Sequence, residues 1–163
     1  MNDRSDIMRA VKSTNTAPEM IVRRLVHGLG YRYRLHRPDP PGKPDLVFTS
    51  RGKVIFVNGC FWHQHACKRG NRQPASNVDY WRRKLAKNVA RDRANVRKLR
   101  RLGWCVLTVW ECQIKRPTLL PRVSRFLTKA GRVNQRSSSR PVKKRVSAAW
   151  PKPASRSIPE ASQ

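Results

Sequence analysis

Two cysteines and two histidines lie close together in one short stretch of the chain, Cys60-Phe61-Trp62-His63-Gln64-His65-Ala66-Cys67. Cysteine sulfur and histidine nitrogen are ligands that zinc prefers, and a structural zinc site takes four of them in a tetrahedron. The stretch therefore predicts a zinc site that contains Cys60, His65 and Cys67. The alternative is a group of reduced, buried thiols with a histidine nearby.

The fourth zinc ligand must come from another part of the chain, and Cys105 and Cys112 are the candidates. Cys105 lies in the middle of a predicted strand, where a cysteine is more often part of the core. Cys112 comes just after the end of that strand, where a side chain can turn toward a neighbouring loop. We therefore expect Cys112 to complete the site.

A second group of residues could hydrolyse a phosphodiester. His63 remains beside the predicted zinc site, and an imidazole near a carboxylate can act as a general base. Asp45 heads an apolar strand, where its carboxylate would be partly desolvated. It offers the hard oxygen ligand that suits magnesium, a common cofactor for phosphodiester cleavage. The alternatives are a turn residue for Asp45 and a ring packed on Trp62 for His63.

Two further acids fall near the apolar faces of predicted helices. Asp92 occupies the gap between Val89 and Val96, where an unpaired carboxylate would be costly. A salt bridge to an arginine is the alternative role there. Glu19 completes a capping box with Thr16 at a helix start and lies near the buried face, so capping alone would also explain it.

Charge limits the classes of partner. The 163 residues include 37 Lys and Arg against 9 Asp and Glu, a net charge of +28. Such a field attracts polyanions, and a solvated basic surface is the alternative reading. The chain has no apolar run long enough to span a membrane and no signal-like apolar segment at its start. We therefore expect a cytoplasmic protein that does not bind membranes.

The pattern of apolar residues predicts a mixed α/β fold, with a central sheet flanked by helices. Two paired strands, then a helix, then another strand require a crossover connection. The predicted helices cover residues 16–29, 76–102 and 119–129. The predicted strands cover residues 31–35, 44–48, 54–57 and 104–110, with a hairpin turn at 50–53. The first helix should bury Ile21, Val22, Leu25, Val26 and Leu29. The second should bury Trp81, Leu85, Val89, Val96 and Leu99.

The composition divides the chain into a domain of residues 1–130 and a tail of residues 131–163. Ser, Pro, Lys and Arg dominate the tail. We expect the tail to be disordered and to add non-specific affinity for polyanions.

Several segments, taken in order, carry a resemblance to a known family. They are Pro44-Asp45, Gly59 to Cys67, Asp79-Tyr80-Trp81, Lys87-Asn88-Val89-Ala90-Arg91-Asp92 and Trp110-Glu111-Cys112. Over residues 5–130 the chain resembles the very short patch repair (Vsr) DNA mismatch endonucleases. The resemblance implies a restriction-endonuclease-like α/β fold with a structural zinc. It also implies a magnesium-dependent nick 5′ to the thymine of a T:G mispair, which arises by deamination of 5-methylcytosine.

The resemblance implies a role for each residue of the hydrolytic group. Asp45 matches the metal-binding aspartate, and Val57 matches a position that binds metal through its backbone carbonyl. His63 matches the general base, and Asp92 its carboxylate neighbour. Glu19 matches an acid near the metal-bound waters.

Two further groups have roles implied by the same resemblance. The zinc ligands would be Cys60, His65, Cys67 and Cys112. The aromatic residues that wedge into the base stack would be Phe61, Trp62 and Trp81. An apolar wedge opens a base step, and a mispair opens more easily than a normal pair.

The chain departs from the family pattern at two positions, because a polar residue and a histidine often stand where it has Val57 and Asn58. The carboxylate-x-lysine pattern of the wider nuclease superfamily is also absent there, so catalysis would depend on His63. The resemblance further implies a bacterial, nucleoid-associated monomer that acts on double-stranded DNA with a T:G mispair, with mismatch-repair proteins as further partners.

Two other hypotheses remain. One is a non-catalytic, zinc-stabilised DNA-binding protein, which would not need Asp45, His63 and Asp92. The other is a restriction enzyme of the same fold, which would not need the aromatic wedge.

Overall fold

The computed structural model describes residues 14–130. The predicted tail and the first thirteen residues of the predicted domain lie outside this range. Within it, the helices are α1 (Ala17–Gly28), α2 (Val78–Arg101) and α3 (Leu119–Thr128). The strands are β1 (Arg34–Leu35), β2 (Leu46–Phe48), β3 (Lys53–Asn58) and β4 (Cys105–Trp110). None of the described helices is both long enough and apolar enough to cross a membrane.

The four described strands form one mixed sheet in the order β1-β2-β3-β4. β1, β2 and β3 pair antiparallel, whereas β3 and β4 pair parallel. A parallel pair needs a crossover connection, and α2 provides it. The predicted mixed α/β architecture is therefore confirmed, and the apolar β3 lies inside the sheet as its sequence indicates.

Apolar side chains cover both faces of the sheet. On one face, Val22 and Val26 of α1 and Val123 of α3 pack in a cluster with Ile55 of β3. On the other face, Leu99 of α2 packs with strand residues such as Val47 and Val54. The described residues thus form three layers, with α1 and α3 on one side of the sheet and α2 on the other.

The predicted strand over residues 44–48 begins only at Leu46, so its first two residues were wrong. Lys43, just before the predicted strand, adopts a left-handed backbone with φ +49°, so the chain is still turning there. Asp45 bonds to the strand with its side chain instead, because its Oδ2 accepts the Val57 N–H at 2.7 Å. The strand predicted over residues 31–35 shortens to Arg34–Leu35, while Tyr31 and Tyr33 pack against the core.

The hairpin turn occupies residues 49–52, one residue earlier than predicted. Its register pairs Phe48 with Lys53, and Gly52 supplies the left-handed φ of +59°. Lys53 therefore belongs to β3 rather than to the turn. Its side chain is 2% exposed, and its ammonium group donates to the carbonyls of Phe126 (2.6 Å), Leu127 (2.9 Å) and Lys129 at the end of α3.

The predicted buried faces of α1 and α2 need correction. Ile21 is 41% exposed, because α1 turns Glu19 and Arg23 inward instead. On α2 only Leu85 and Leu99 are buried. Val89 and Val96 line an open cleft between α2 and the sheet, and that cleft is where the candidate site lies.

Candidate active site and metal centre

His63 and Asp92 form a hydrogen-bonded pair between two elements. His63 lies in the loop after β3, and Asp92 lies on the sheet-facing side of α2. The Nδ1 atom of His63 bonds to Oδ2 of Asp92. Because a carboxylate only accepts hydrogen bonds, Nδ1 must carry the proton, and Nε2 is left as the basic nitrogen. This is the orientation that a general base requires.

A second contact from α2 fixes the same loop. The Asn88 side chain, one turn before Asp92, donates from Nδ2 to the Trp62 carbonyl at 3.3 Å. Gln64 adopts a left-handed φ of +47°, which lets the chain turn back after His63. The bond from Asn88 therefore ties the residue before His63 to α2.

The four predicted zinc ligands come together. The ligand atoms of Cys60, His65, Cys67 and Cys112 all lie within 4.8 Å of one another. The Nδ1 atom of His65 is 3.5 Å from the Cys112 sulfur and 3.9 Å from the Cys60 sulfur. Zinc bond lengths imply a nitrogen–sulfur separation of about 3.6 Å in a tetrahedral site, so this donor set fits zinc. Cys105 lies outside the group.

The thiols of this cluster differ in acidity. Contact with His65 lowers the pKa of Cys67 to about 6, assisted by the backbone N–H of Gly70. Burial raises the pKa of Cys60 to about 12. Zinc binds the thiolate, so Cys67 is already suited to a metal, whereas Cys60 would lose its proton only when a metal binds.

Neighbouring groups support the cluster closely. Trp110 stacks on the ring of His65, with centroids 4.4 Å apart and planes at 25°. The Cys60 N–H donates to the Glu111 carboxylate at 3.4 Å. At Gly70, an added Cβ would lie 1.8 Å from the His65 carbonyl oxygen, so only glycine fits. The backbone at Gly70 thus packs directly against the backbone of His65.

Asp45 lies in an environment that disfavours its charge. Burial, assisted by nearby Glu19, raises its pKa to about 6, even though the Val57 N–H, His36 and Arg23 each lower it. The ligand atoms of Glu19, His36 and Asp45 lie within 4.8 Å of one another. Two carboxylates this close provide the hard oxygen donors that magnesium prefers, so the residues fit that ion.

The sequence did not identify two residues beside Asp45. Arg23 is 7% exposed and pairs with the buried Glu19, and its Nη2 also donates to Nε2 of His36 at 2.9 Å. The spacing of four residues between Glu19 and Arg23 was a signal for this ion pair. Nothing in the pattern around His36 indicated its position, because a loop brings it there.

Three aromatic residues form a cluster at the start of α2. The centroids of Phe61, Trp62 and Trp81 lie 5.3–6.0 Å from one another, and all three are half-buried. Tyr80 extends the cluster, with its ring edge on Trp81 at 5.5 Å. The structure thus brings together the three residues that were expected to act as a wedge.

A cleft of about 960 Å³ connects the catalytic candidates. It is lined by Asp45, Val57, His63 and Asp92, among others, so four of the five residues of the hydrolytic group share one space. Glu19 is not part of the lining and lies beside Asp45. The aromatic cluster does not line the cleft either, although Trp62 and His63 are adjacent in the chain.

Comparison with known proteins supports one family. Residues 1–69 match the family model described as DNA mismatch endonuclease Vsr. The chain is 51% identical over 108 residues to the type II nicking enzyme V.XorIIP of Xanthomonas oryzae, covering 66% of this chain and 79% of that protein. It is 42% identical over 112 residues to the DNA mismatch endonuclease Vsr of Escherichia coli, covering 69% and 71%. The type II nicking enzyme V.NmeAIP of Neisseria meningitidis is 41% identical over 112 residues, covering 69% and 79%.

Proposed function

Because the chain belongs to the DNA mismatch endonuclease Vsr family, it is a DNA endonuclease, and we propose that it nicks one strand 5′ to the thymine of a T:G mispair. The reaction is a magnesium-dependent hydrolysis of one phosphodiester in very short patch repair. One observation carries the proposal. Asp45, which precedes β2, and the His63–Asp92 pair line the same cleft.

In this proposal His63 is the general base. Its Nε2 takes a proton from the attacking water while the water oxygen bonds to phosphorus and the bond to the leaving oxygen breaks. Asp92 keeps the proton on Nδ1 and stabilises the imidazolium that forms. Loss of such a base typically costs about a hundredfold to ten-thousandfold in rate.

Asp45 is the residue that would hold magnesium, together with the Val57 carbonyl. When bound, magnesium would supply charge neutralisation at the phosphate and activation of a water. Glu19 would orient water near this point, and its buried carboxylate pairs with Arg23. The raised pKa of Asp45 fits the role, because a cation would relieve the cost of its buried charge.

The aromatic cluster would recognise the mispair by opening the base stack. Phe61, Trp62 and Trp81 already contact one another, so little ordering is needed on binding. A wedge costs less at a mispair than at a Watson–Crick pair, because the mispaired step stacks and pairs less well. Mispair selection would thus precede hydrolysis.

We further propose that the cysteine–histidine cluster binds structural zinc in a restriction-endonuclease-like fold. The four ligands close the site, so the ion has no open position for catalysis. Its task would be to hold the loop that presents Trp62 on one side and His63 on the other. Residues 1–130 would form the endonuclease domain of a monomer, with residues 131–163 as a basic tail.

A nicking assay on end-labelled duplexes tests the proposal directly. Each duplex carries T:G, another single mispair, or none, and the two strands carry different labels. We expect magnesium-dependent cutting of the thymine strand alone, 5′ to the mispaired base. Tight binding to the T:G duplex without any cutting in magnesium would instead indicate a DNA-binding protein, and equal cutting of paired DNA would indicate a restriction enzyme.

A further inference from the structure

The C-terminal half of α2 carries three arginines that the catalytic proposal does not use. Arg93, Arg97 and Arg100, called here the arginine row, follow one another at spacings of four and three residues, so they share one face of the helix. All three are exposed at the rim of the cleft that Asp45 and His63 line. Among residues 14–130, none of them forms an ion pair with a carboxylate.

The order of groups along α2 gives the row a direction. Trp81 of the aromatic cluster precedes Asp92 by eleven residues, which is about 16 Å at the helical rise. Arg100 follows Asp92 by eight residues, or about 12 Å. The catalytic pair therefore lies between the aromatic cluster and the arginine row.

The row has the dimensions and chemistry of a phosphate-binding surface. It extends for about 10 Å along the helix axis, while each DNA strand carries one phosphate per about 3.4 Å of duplex axis. Three arginines could thus contact two or three successive phosphates. Unpaired guanidinium groups bind phosphate through two parallel hydrogen bonds, which lysine cannot do.

The catalytic centre also needs such a surface. Asp45 and Asp92 are two acids that line the cleft where a phosphate must enter, and their charges would repel it. The arginine row at the rim of the same cleft offsets this repulsion even when no metal ion is bound. Arginines on the far side of the helix would contribute to the general field without holding the strand in register.

We propose that the arginine row binds backbone phosphates of the nicked strand on the 5′ side of the cut. This inference rests on the proposed function. The mispaired thymine lies 3′ of the cut phosphate, so the aromatic cluster covers the 3′ side. Because the row lies beyond Asp92 in the opposite direction, it faces the 5′ side.

Single substitutions on α2, with a control at a neighbouring arginine, test the arginine row. Arg97→Gln and Arg100→Gln remove members, while Arg101→Gln removes an exposed neighbouring charge that does not line the cleft. Binding of full-length protein to the T:G duplex is measured by anisotropy without magnesium, from 0.05 to 0.3 M salt. We expect each row variant to bind several-fold more weakly, with a log–log salt slope smaller by about one. Arg101→Gln should retain the wild-type slope within error.

Chemical substitution of the DNA tests the direction. Uncharged methylphosphonates replace one phosphate at a time, at the first three positions on the 5′ side or the 3′ side of the cut. A 5′ replacement should weaken wild-type binding but cost Arg97→Gln or Arg100→Gln little more, since the contact is already lost. Replacements on the 3′ side should add fully to the effect of either variant.

The outcomes separate this inference from the proposed function. Equal losses in Arg100→Gln and Arg101→Gln would overturn the row, because a general field would then explain both. Coupling on the 3′ side would overturn its direction. Failure of wild-type protein to nick the T:G duplex would overturn the proposed function, whereas the salt slopes and the phosphate coupling would still report whether the row binds DNA.

Discussion

His63 and Asp92 lie 29 residues apart in the sequence, yet they share one hydrogen bond, between Nδ1 and Oδ2. The loop after β3 supplies the first residue and the middle of α2 supplies the second. The pair is about three-quarters shielded from water, with 23% and 27% of the side chains exposed. The carboxylate therefore controls which nitrogen of the ring is basic.

Substitution of either His63 or Asp92 should slow nicking strongly without weakening DNA binding. We expect His63→Ala to lower the nicking rate about a thousandfold. Asp92→Asn should lower it by a similar order, because an amide can accept or donate and no longer fixes the proton on Nδ1. Single-turnover nicking at saturating protein measures the rate, and anisotropy measures binding.

His27→Ala is the matched control for these variants, since His27 is an exposed histidine at the end of α1. It should nick at the wild-type rate. If His63→Ala retained more than about a tenth of wild-type activity, a different group would have to be the base.

In magnesium-free buffer, the buried charge of Asp45 should make the free energy of unfolding depend on pH. Its pKa is raised from 3.8 to about 6, so the folded protein binds this proton more tightly than the unfolded chain does. The group therefore destabilises the fold as pH rises from about 4 through 6, by at most about 3 kcal/mol above that range. Asp45→Asn removes the ionisation and should be more stable than wild type at pH 8.

Urea denaturation at pH 5 and pH 8 checks this sign. The advantage of Asp45→Asn should fall by about half at pH 5, where the folded wild type is mostly protonated. Asp79→Asn, which changes a carboxylate that is 83% exposed, should show no such advantage. A constant difference at both pH values would refute the ionisation account. Asp45→Asn should also lose magnesium-stimulated nicking.

The two cysteines at either end of β4 should respond differently to substitution. Cys112→Ser should reduce zinc from one ion per chain to a small fraction and lower the melting temperature, because metal binding adds to folding free energy. Cys105→Ser should keep the zinc, since Cys105 lies outside the four-ligand cluster. Elemental analysis of purified protein provides the measurement, and retention of zinc by Cys112→Ser would exclude it as a ligand.

Features of the fold that depend on local sequence patterns could be predicted. Apolar runs located three of the strands, and the helical gap placed Asp92 on the sheet-facing side of α2, whereas its pairing with His63 was implied by the family resemblance. Cys112 was correctly preferred to Cys105, but the reason given for Cys105 was wrong, because Cys105 begins β4 instead of lying at its centre. The zinc, magnesium and wedge roles of these residues remain predictions.

Features that depend on tertiary contacts were not accessible. The Val57 N–H donates to the side-chain carboxylate of Asp45 and not to a backbone carbonyl of β2. The regular strand pairing therefore stops before Asp45, and the predicted strand was too long. His36 lies in the loop after β1, and only the fold brings it close to Glu19 and Asp45. No periodicity encodes such a contact, since it joins residues from three separate elements.

Lys53 provides the last prediction, because its role is visible only in the fold. Its ammonium group lies at the C-terminal end of α3, where it donates to three carbonyls that would otherwise lack partners. Lys53→Met keeps the length and apolar packing of the side chain but removes the donors, and should cost about 2–3 kcal/mol in the free energy of unfolding. Lys98→Met, at an exposed position of α2, should cost less than about 0.5 kcal/mol. Urea denaturation compares the two, and equal stabilities would mean that burial of the charge costs as much as the three hydrogen bonds contribute.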